Sequence, residues 1–376
     1  MRLAFFYPWL EGVPSHARHL CDAVARRGVR WVTLSREGPN KTREPLVSAR
    51  YPRHPDRLMR ADLTDLDAFL RAEGSTVDAL VMVGGFSPFN IGAALLARRY
   101  RVPYVVSLEG TVAPFAFAHG RRRLKHGYWR LVDRWILSHA VALRVLSDFE
   151  RDCLLALGVR RPMVMAAEGP EDDALAAFAS YGRVRTVARR FLFLGRLDVW
   201  QKALDHMVAG FAASLRQRHE GQQLVLAGPP LAGAVARLRH LFAREGLVEG
   251  QDVVLKPPVY GAAKWELLQS ADVFLHPSRR EGIPRSVTEA LAMGLPVIVT
   301  DETNLGTVVQ QAAAGWRVEG TPAGVTRGIL LAMAAGDLEA RSENAARLAR
   351  TTLSWDAIGE AFMSGLAGVL ANGRSR

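Results

Sequence analysis

The sequence is poor in cysteine. Cys21 and Cys153 are the only two among 376 residues. Two are too few for a cysteine-held metal site or a disulfide scaffold, and they point to a reducing, cytoplasmic compartment. The chain also lacks a long apolar span. Its longest uncharged stretch, Ala79 to Ala97, is broken at the centre by Gly84-Gly85-Phe86-Ser87-Pro88-Phe89-Asn90. That is turn chemistry, so the stretch reads as strand, turn and helix rather than a membrane span. The opening MRLAFFYPWLEG has no small-residue cleavage site after its apolar segment and reads as a first strand, not a secretion signal. No repeat of domain-building length stands out. Acidic charge is scarce relative to basic: 37 Asp and Glu against 49 Lys and Arg, a net +12. Such an excess fits an anionic partner. No zinc spacing, RNA-binding aromatic motif or basic repeat supports nucleic acid.

With 49% hydrophobic and 23% charged residues, the chain can bury a full core. Short apolar runs alternate with helical patterns. Strands are expected at 3–7, 30–34, 79–83, 104–108, 143–146 and 163–166, then at 191–194, 224–227, 253–255, 273–276 and 297–300. Between them lie helical spacings such as Leu204, Met207, Val208, Phe211 and Leu215. Alternation of this kind means parallel sheets. Two sets of strands predict an α/β protein of two doubly wound, Rossmann-like domains, although periodicity alone leaves an eight-fold barrel open. The boundary is expected within 167–189, with domains over 1–170 and 185–354. A last helix, from Trp355 to about Leu370, is expected to pack back on the first domain.

Three segments carry chemistry. In the first, Glu281-Gly-Ile-Pro-Arg-Ser-Val-Thr-Glu289 follows the strand VFLHP and runs into a helix expected near Ser286. Unpaired N–H groups at a helix start attract anions. Gly282 allows close backbone approach, and two carboxylates on one crevice suit sugar or ribose hydroxyls. The second is Gly195-Arg196-Leu197-Asp198 at a strand end, followed by Lys202. A planar guanidinium and a point-charge ammonium suit a diphosphate. The third, LVLAG with Gly228, is another strand ending in a turn.

The order of these segments, ending in LLQSADVFLHPSRREGIPRSVTEALAMGLPVIVTD, resembles the donor domain of the retaining, GT-B-fold glycosyltransferases of family 4. The first half is looser: MRLAFFYP, a loop with Gly12, YVVSLEG, then LRVLSDFERDCLLALGV. The resemblance implies two Rossmann-like domains facing across a cleft, and transfer of a hexose from a nucleotide-diphosphate sugar to a hydroxyl with retention. It implies that Arg196 and Lys202 neutralise the diphosphate, that Glu281 holds donor-sugar hydroxyls, and that Glu289 holds the ribose. Gly195 turns the strand end beside Arg196, and the backbone of Gly282, Ile283, Pro284 and Arg285 touches sugar and phosphates. Pro258, Val259 and Tyr260 meet the base, and the Gly12 loop approaches the phosphates. No metal and no other cofactor is expected, because the two cations can do a divalent ion's work. The sequence departs from the family twice. Glu109 stands where the family often has His, and MAAEGPEDD stands in place of an Asn-Gly linker signature. Glu109 is therefore a candidate catalytic group beside Glu281, Arg196 and Lys202. Alternatives are a nucleotide-sugar epimerase, hydrolase or phosphorylase on the same fold, or a non-enzymatic basic binding module.

Residues 121–137 read RRRLKHGYWRLVDRWIL. Leu124, Tyr128, Leu131 and Trp135 recur at helical spacing, among Arg121, Arg122, Arg123, Lys125, Arg130 and Arg134. Phe115 and Phe117 lie just upstream. A basic amphipathic helix of this kind can lie on an anionic leaflet. The expected partners are thus a nucleotide sugar, a saccharide or lipid-linked saccharide acceptor, and the inner face of a membrane.

Overall fold

In the computed structural model the described residues are 1–7, 15–35, 47–48, 55–112, 117, 122–181, 187, 189–218 and 221–374. Gly12, Phe115 and Arg121 lie outside them. The chain divides into two compact units, Met1–Glu168 with Trp355–Arg376, and Gly169–Ser354.

The first unit is built on a parallel sheet of β1 (Arg2–Tyr7), β2 (Arg30–Ser35), β3 (Val47–Ser48), β4 (Ala79–Val83), β5 (Tyr104–Ser107), β6 (Ala142–Val145) and β7 (Met163–Met165). Its order is β3-β2-β1-β4-β5-β6-β7. All five residues of β4 are buried, as expected of a parallel strand covered on both faces. Alternate residues serve two cores. Ala4, Phe6, Leu80, Met82, Val106 and Leu143 face one layer of helices. Leu3, Phe5, Val81, Val105 and Val164 face the other. That second layer includes the last helix, Trp355–Arg374, through Trp355, Ile358, Phe362 and Leu366. Small residues let it approach closely: a Cβ on Gly359 would lie 2.8 Å from Ala23, and one on Gly365 would lie 2.7 Å from Val164. Arg27 ties the contact by donating to Glu360 at 2.8 Å.

The second unit holds β8 (Arg190–Leu194), β9 (Gln223–Ala227), β10 (Val253–Lys256), β11 (Val273–His276), β12 (Val297–Val299) and β13 (Gly315–Arg317). All pairs are parallel, in the order β10-β9-β8-β11-β12-β13. The expected helix face Leu204, Met207, Val208, Phe211 and Leu215 is buried against Phe191, Phe193, Leu224 and Leu226. Two parallel doubly wound sheets exclude the barrel.

All eleven expected strands form, each to within one residue at either end. The sequence reading misses β3, two residues long, and β13, whose Gly-Trp-Arg has no apolar run.

The 121–137 segment is a correction. It is not one continuous helix with Leu124, Tyr128, Leu131 and Trp135 along a single face. A helix over Arg122–Tyr128 passes through a π-turn, Trp129–Asp133, into a helix over Arg134–His139. The wider turn shifts the register. Trp129, Ile136 and Leu137 enter the core, Tyr128 and Trp135 are half-buried, and Leu124 and Leu131 are 61% and 80% exposed.

Candidate active site

In a doubly wound sheet, ligands bind beyond the carboxyl ends of the strands where the strand order reverses. In the second unit that point lies between β8 and β11. The loops leaving these two strands carry Gly195 to Ala203 and Pro277 to Pro284, and thus Arg196, Lys202 and Glu281.

The structure brings Lys202 and Glu281 together. Lys202 Nζ donates to Glu281 Oε1 at 2.5 Å. The same oxygen accepts from Ser278 Oγ at 2.8 Å and lies 3.3 Å from His276 Nε2. Burial pushes the Glu281 carboxyl up. The His276 hydrogen bond and the Lys202 ammonium outweigh it and hold Glu281 at about 2, fully ionised near neutrality. Burial pushes His276 down, and Lys202 adds to that effect. His276 is therefore a neutral donor through Nε2, with Nδ1 buried and unpartnered. Phe193 and Phe274 stack on its ring at centroid distances of 5.2 and 6.1 Å.

Further contacts stitch the two loops. Gln201 Nε2 donates to the Arg280 carbonyl at 3.2 Å, and the Arg279 amide donates to the Gln201 carbonyl at 3.0 Å. Arg279 makes a bidentate pair with Asp205 at 2.8 and 2.7 Å and lies 4.5 Å over the Trp200 ring. Asn304, in a left-handed conformation, donates to the carbonyls of Glu281 and Gly282 at 3.2 and 2.8 Å. Arg196 remains half-exposed, with Nη2 donating to Gln201 Oε1 at 3.2 Å. Gly195 sits directly against β9: a Cβ on Gly228 would lie 2.0 Å from the Gly195 carbonyl oxygen.

Glu289 lies on the helix Arg285–Ala292, which starts one residue earlier than expected. Lys264 Nζ donates to its Oε1 at 2.9 Å, yet burial wins and holds Glu289 above the usual carboxylate range. Arg285 turns to Glu171 at 3.3 Å. Ile283 is buried, Gly282 is half-buried, and Pro284 precedes the helix as its cap. Pro258 and Tyr260 are exposed and Val259 is half-buried, on the loop after β10.

In the first unit Glu109 follows β5 in a left-handed conformation, φ +52°, with Gly110 at +74°. Arg144 Nη1 lies 3.5 Å from its Oε1. Arg144 is buried and also donates to the carbonyls of Ala166 and Ala167 at 3.0 and 2.7 Å, and to Ser107 Oγ at 3.1 Å. Sequence reasoning missed Arg144 and Glu150 here, and Gln201, His276, Ser278, Arg279, Lys264 and Asn304 in the second unit. His276, Ser278 and Arg279 sit inside the motif run itself. Arg144 and Glu150 sit inside the run LRVLSDFERDCLLALGV, where Glu150 reads only as part of a local cap, and Gln201, Lys264 and Asn304 carry no spacing signal.

Among the described residues, no group of three or more His, Cys, Asp or Glu is placed to hold a metal ion. The chain contains one Asp-x-Asp triplet, Asp65-Leu66-Asp67. It lies within the helix Pro55–Glu73, where Asp67 accepts from Tyr100 and Arg71 at 2.8 and 2.5 Å.

A glycosyl transferase 4-like domain model matches residues 11–169, and a model described as glycosyl transferases group 1 matches residues 188–335. The chain belongs to the group 1, family 4-like glycosyltransferases. The chain is 34% identical over 122 residues to the putative glycosyltransferase EpsF of Bacillus subtilis, covering 31% of this chain and 29% of that one. It is 33% identical over 130 residues to a GDP-mannose-dependent alpha-mannosyltransferase of Mycolicibacterium smegmatis, covering 28% and 34%. The chain thus spans about a third of the length of these curated relatives. Solved GT-B structures match over nearly the whole chain. WaaG, a glycosyltransferase involved in lipopolysaccharide biosynthesis, has a TM-score of 0.60 at 17% identity, covering 96% and 98%. Anabaena HepE in complex with UDP has a TM-score of 0.70 at 16% identity, covering 98% and 100%. The fold is GT-B.

Proposed function

We propose that this glycosyltransferase moves a hexosyl group from UDP- or GDP-hexose to a hydroxyl of a saccharide or lipid-linked saccharide, in polysaccharide or lipopolysaccharide assembly, with retention of anomeric configuration. The observation that carries the reading is the Lys202–Glu281 pair at the β8/β11 switch point, with Arg196 beside it and Glu289 on the adjoining helix. Lys202 has three donors, so it can hold Glu281 and still reach a phosphate oxygen. Arg196, half-exposed, is free to swing onto the second phosphate. The ionised Glu281 accepts from donor-sugar hydroxyls, and Glu289 accepts from the ribose. The GDP-mannose-dependent mannosyltransferase relative and the UDP-bound HepE structure support a nucleotide-sugar donor.

In the transfer, the bond from the anomeric carbon to the diphosphate oxygen breaks and a bond from the acceptor oxygen forms on the same face. The acceptor proton leaves with the diphosphate. Negative charge grows on the departing phosphate, where fixed donors lower the barrier most; one such donor is typically worth about 3–4 kcal/mol. No metal is needed in this scheme, because Arg196, Lys202 and the helix-start amides carry that charge.

The proposed setting is the cytoplasmic face of a membrane. Arg123, Arg130 and Arg134 surround the exposed Leu124 and Leu131 in the first unit, and none of the three has an ion-pair partner among the described residues. No described helix is long and apolar enough to cross a membrane. A panel of UDP- and GDP-hexoses, assayed for nucleotide release with and without a saccharide acceptor, tests the reading. Acceptor-dependent release of UDP or GDP is expected; release from no donor, or release indifferent to acceptor, overturns it.

A further inference from the structure

The helix after β6 opens with Ser147-Asp148-Phe149-Glu150, the spacing of a capping box. Half of the box forms: Ser147 Oγ accepts from the Glu150 amide at 3.2 Å. In a plain box the glutamate then folds back onto the amide of the cap residue. Here the carboxylate goes elsewhere. Its Oε2 accepts from the Leu146 amide at 2.8 Å, and its Oε1 reaches across to the Gly110 amide at 2.6 Å, forty residues away. Glu150 is buried, and both oxygens are spent on backbone donors of two different loops. Gly110 is the residue directly after Glu109. Both are left-handed, a costly conformation for a residue with a Cβ unless its surroundings enforce it.

We propose that Glu150 is a positioning residue for Glu109. It clasps the loop after β5 to the loop after β6 and so holds the Glu109 carboxylate against Arg144. The proposal rests on the reading that Glu109 is a catalytic group of the transfer. Arg144 completes the frame, since its guanidinium joins the ends of β5, β6 and β7 through Ser107, its own strand, and Ala166 and Ala167. The charged groups that act on Glu150 are Arg144 from β6 and Glu109 from the loop after β5; on its own helix, Asp148 and Arg151 pair with each other. Only the carboxylate form presents two pure acceptors to two N–H donors. Burial pushes the group up to about 7, against the two amides and Arg144, so the clasp loosens as the solution becomes mildly acidic.

The test uses the full chain with Glu150→Gln, Glu109→Gln and the double variant. An amide in place of the carboxylate sets an NH2 against one of the two backbone donors. Exchange of the Gly110 amide should accelerate roughly tenfold, on the scale of one lost charge-assisted hydrogen bond. Acceptor-dependent kcat should fall by a similar factor while nucleotide affinity stays unchanged. A limb near pH 7 in the wild-type kcat profile should vanish in Glu150→Gln. The double variant should be no slower than Glu109→Gln alone. Wild-type kcat and pH profile in a folded Glu150→Gln variant, or multiplicative losses in the double variant, overturn the proposal. Unchanged protection at Gly110 overturns it as well, and that readout holds even if the transfer reading itself fails. If Glu150→Gln does not fold, Glu150→Asp keeps the charge on a shorter arm and must show the same faster exchange at Gly110.

Discussion

Lys202 Nζ lies 2.5 Å from Glu281 Oε1, so the cation and the carboxylate that the sequence set 79 residues apart form one buried group. Glu281→Gln leaves Lys202 without its counter-charge and turns an acceptor of three donors into a mixed group. Removing one partner of a buried pair typically costs about 3–5 kcal/mol. Lower melting temperature and a loss of turnover on the order of a hundredfold are expected, read by thermal unfolding and initial rates. Wild-type turnover would contradict the role given to Glu281.

Gly228 is fixed by its neighbour rather than by a ligand. Its φ is +140°, and a Cβ would sit 2.0 Å from the Gly195 carbonyl oxygen. Gly228→Ala should destabilise the second unit by about 2 kcal/mol or more and displace the Arg196 loop. Gly127→Ala is the control: its Cβ meets nothing within 4 Å, and it lies in a helix. That change should be neutral or stabilising by about 0.5–1 kcal/mol. Urea unfolding of both variants checks the contrast.

The outward face at Leu124 and Leu131 predicts binding to anionic vesicles. Each arginine near such a surface adds about 1 kcal/mol, so replacing Arg123, Arg130 and Arg134 by Ala should weaken partitioning on the order of a hundredfold at low salt. Leu131→Glu should weaken it further. Absence of the wild-type protein from floated anionic vesicles at low salt would place the acceptor in solution.

Stability should respond to pH in opposite senses through Glu150 and Asp133 in the first unit and through Glu281 in the second. Glu150 is raised by burial from 4.5 to about 7 and Asp133 from 3.8 to about 6. The folded state therefore holds their protons more tightly, and their contribution falls as pH rises from about 4 to about 7. Glu281 is held at about 2, so its contribution is full above 4.5 and is lost as pH falls towards 2. Denaturant unfolding across pH 3–8 should show Glu150→Gln flattening the upper window and Glu281→Gln flattening the lower one.

The fold was legible because parallel strands buried on both faces write themselves as short apolar runs, as at Ala79–Val83 and Val273–His276. Their carboxyl ends located Arg196, Lys202, Glu281 and Glu109 as well. Positions joined only through space were not legible. Glu150 reads as half of a local capping box, and nothing in the spacing says that its second oxygen reaches Gly110. Lys264 carries no mark of its pairing with Glu289. The π-turn at Trp129–Asp133 defeats simple helical periodicity, which is why Leu124, Tyr128, Leu131 and Trp135 do not share one face: the two leucines are exposed and the two aromatics half-buried.

The central claim is that the β8 and β11 loops bind the diphosphate of a nucleotide sugar. Calorimetric titration of UDP and GDP into the wild-type chain, Lys202→Ala and Glu289→Gln tests it most directly. One of the two nucleotides should bind at a single site. Lys202→Ala should weaken it roughly ten- to a hundredfold, the range of a lost charge-assisted contact, and Glu289→Gln should weaken it too. Binding of neither nucleotide, or equal affinity in the wild type and Lys202→Ala, would contradict the account.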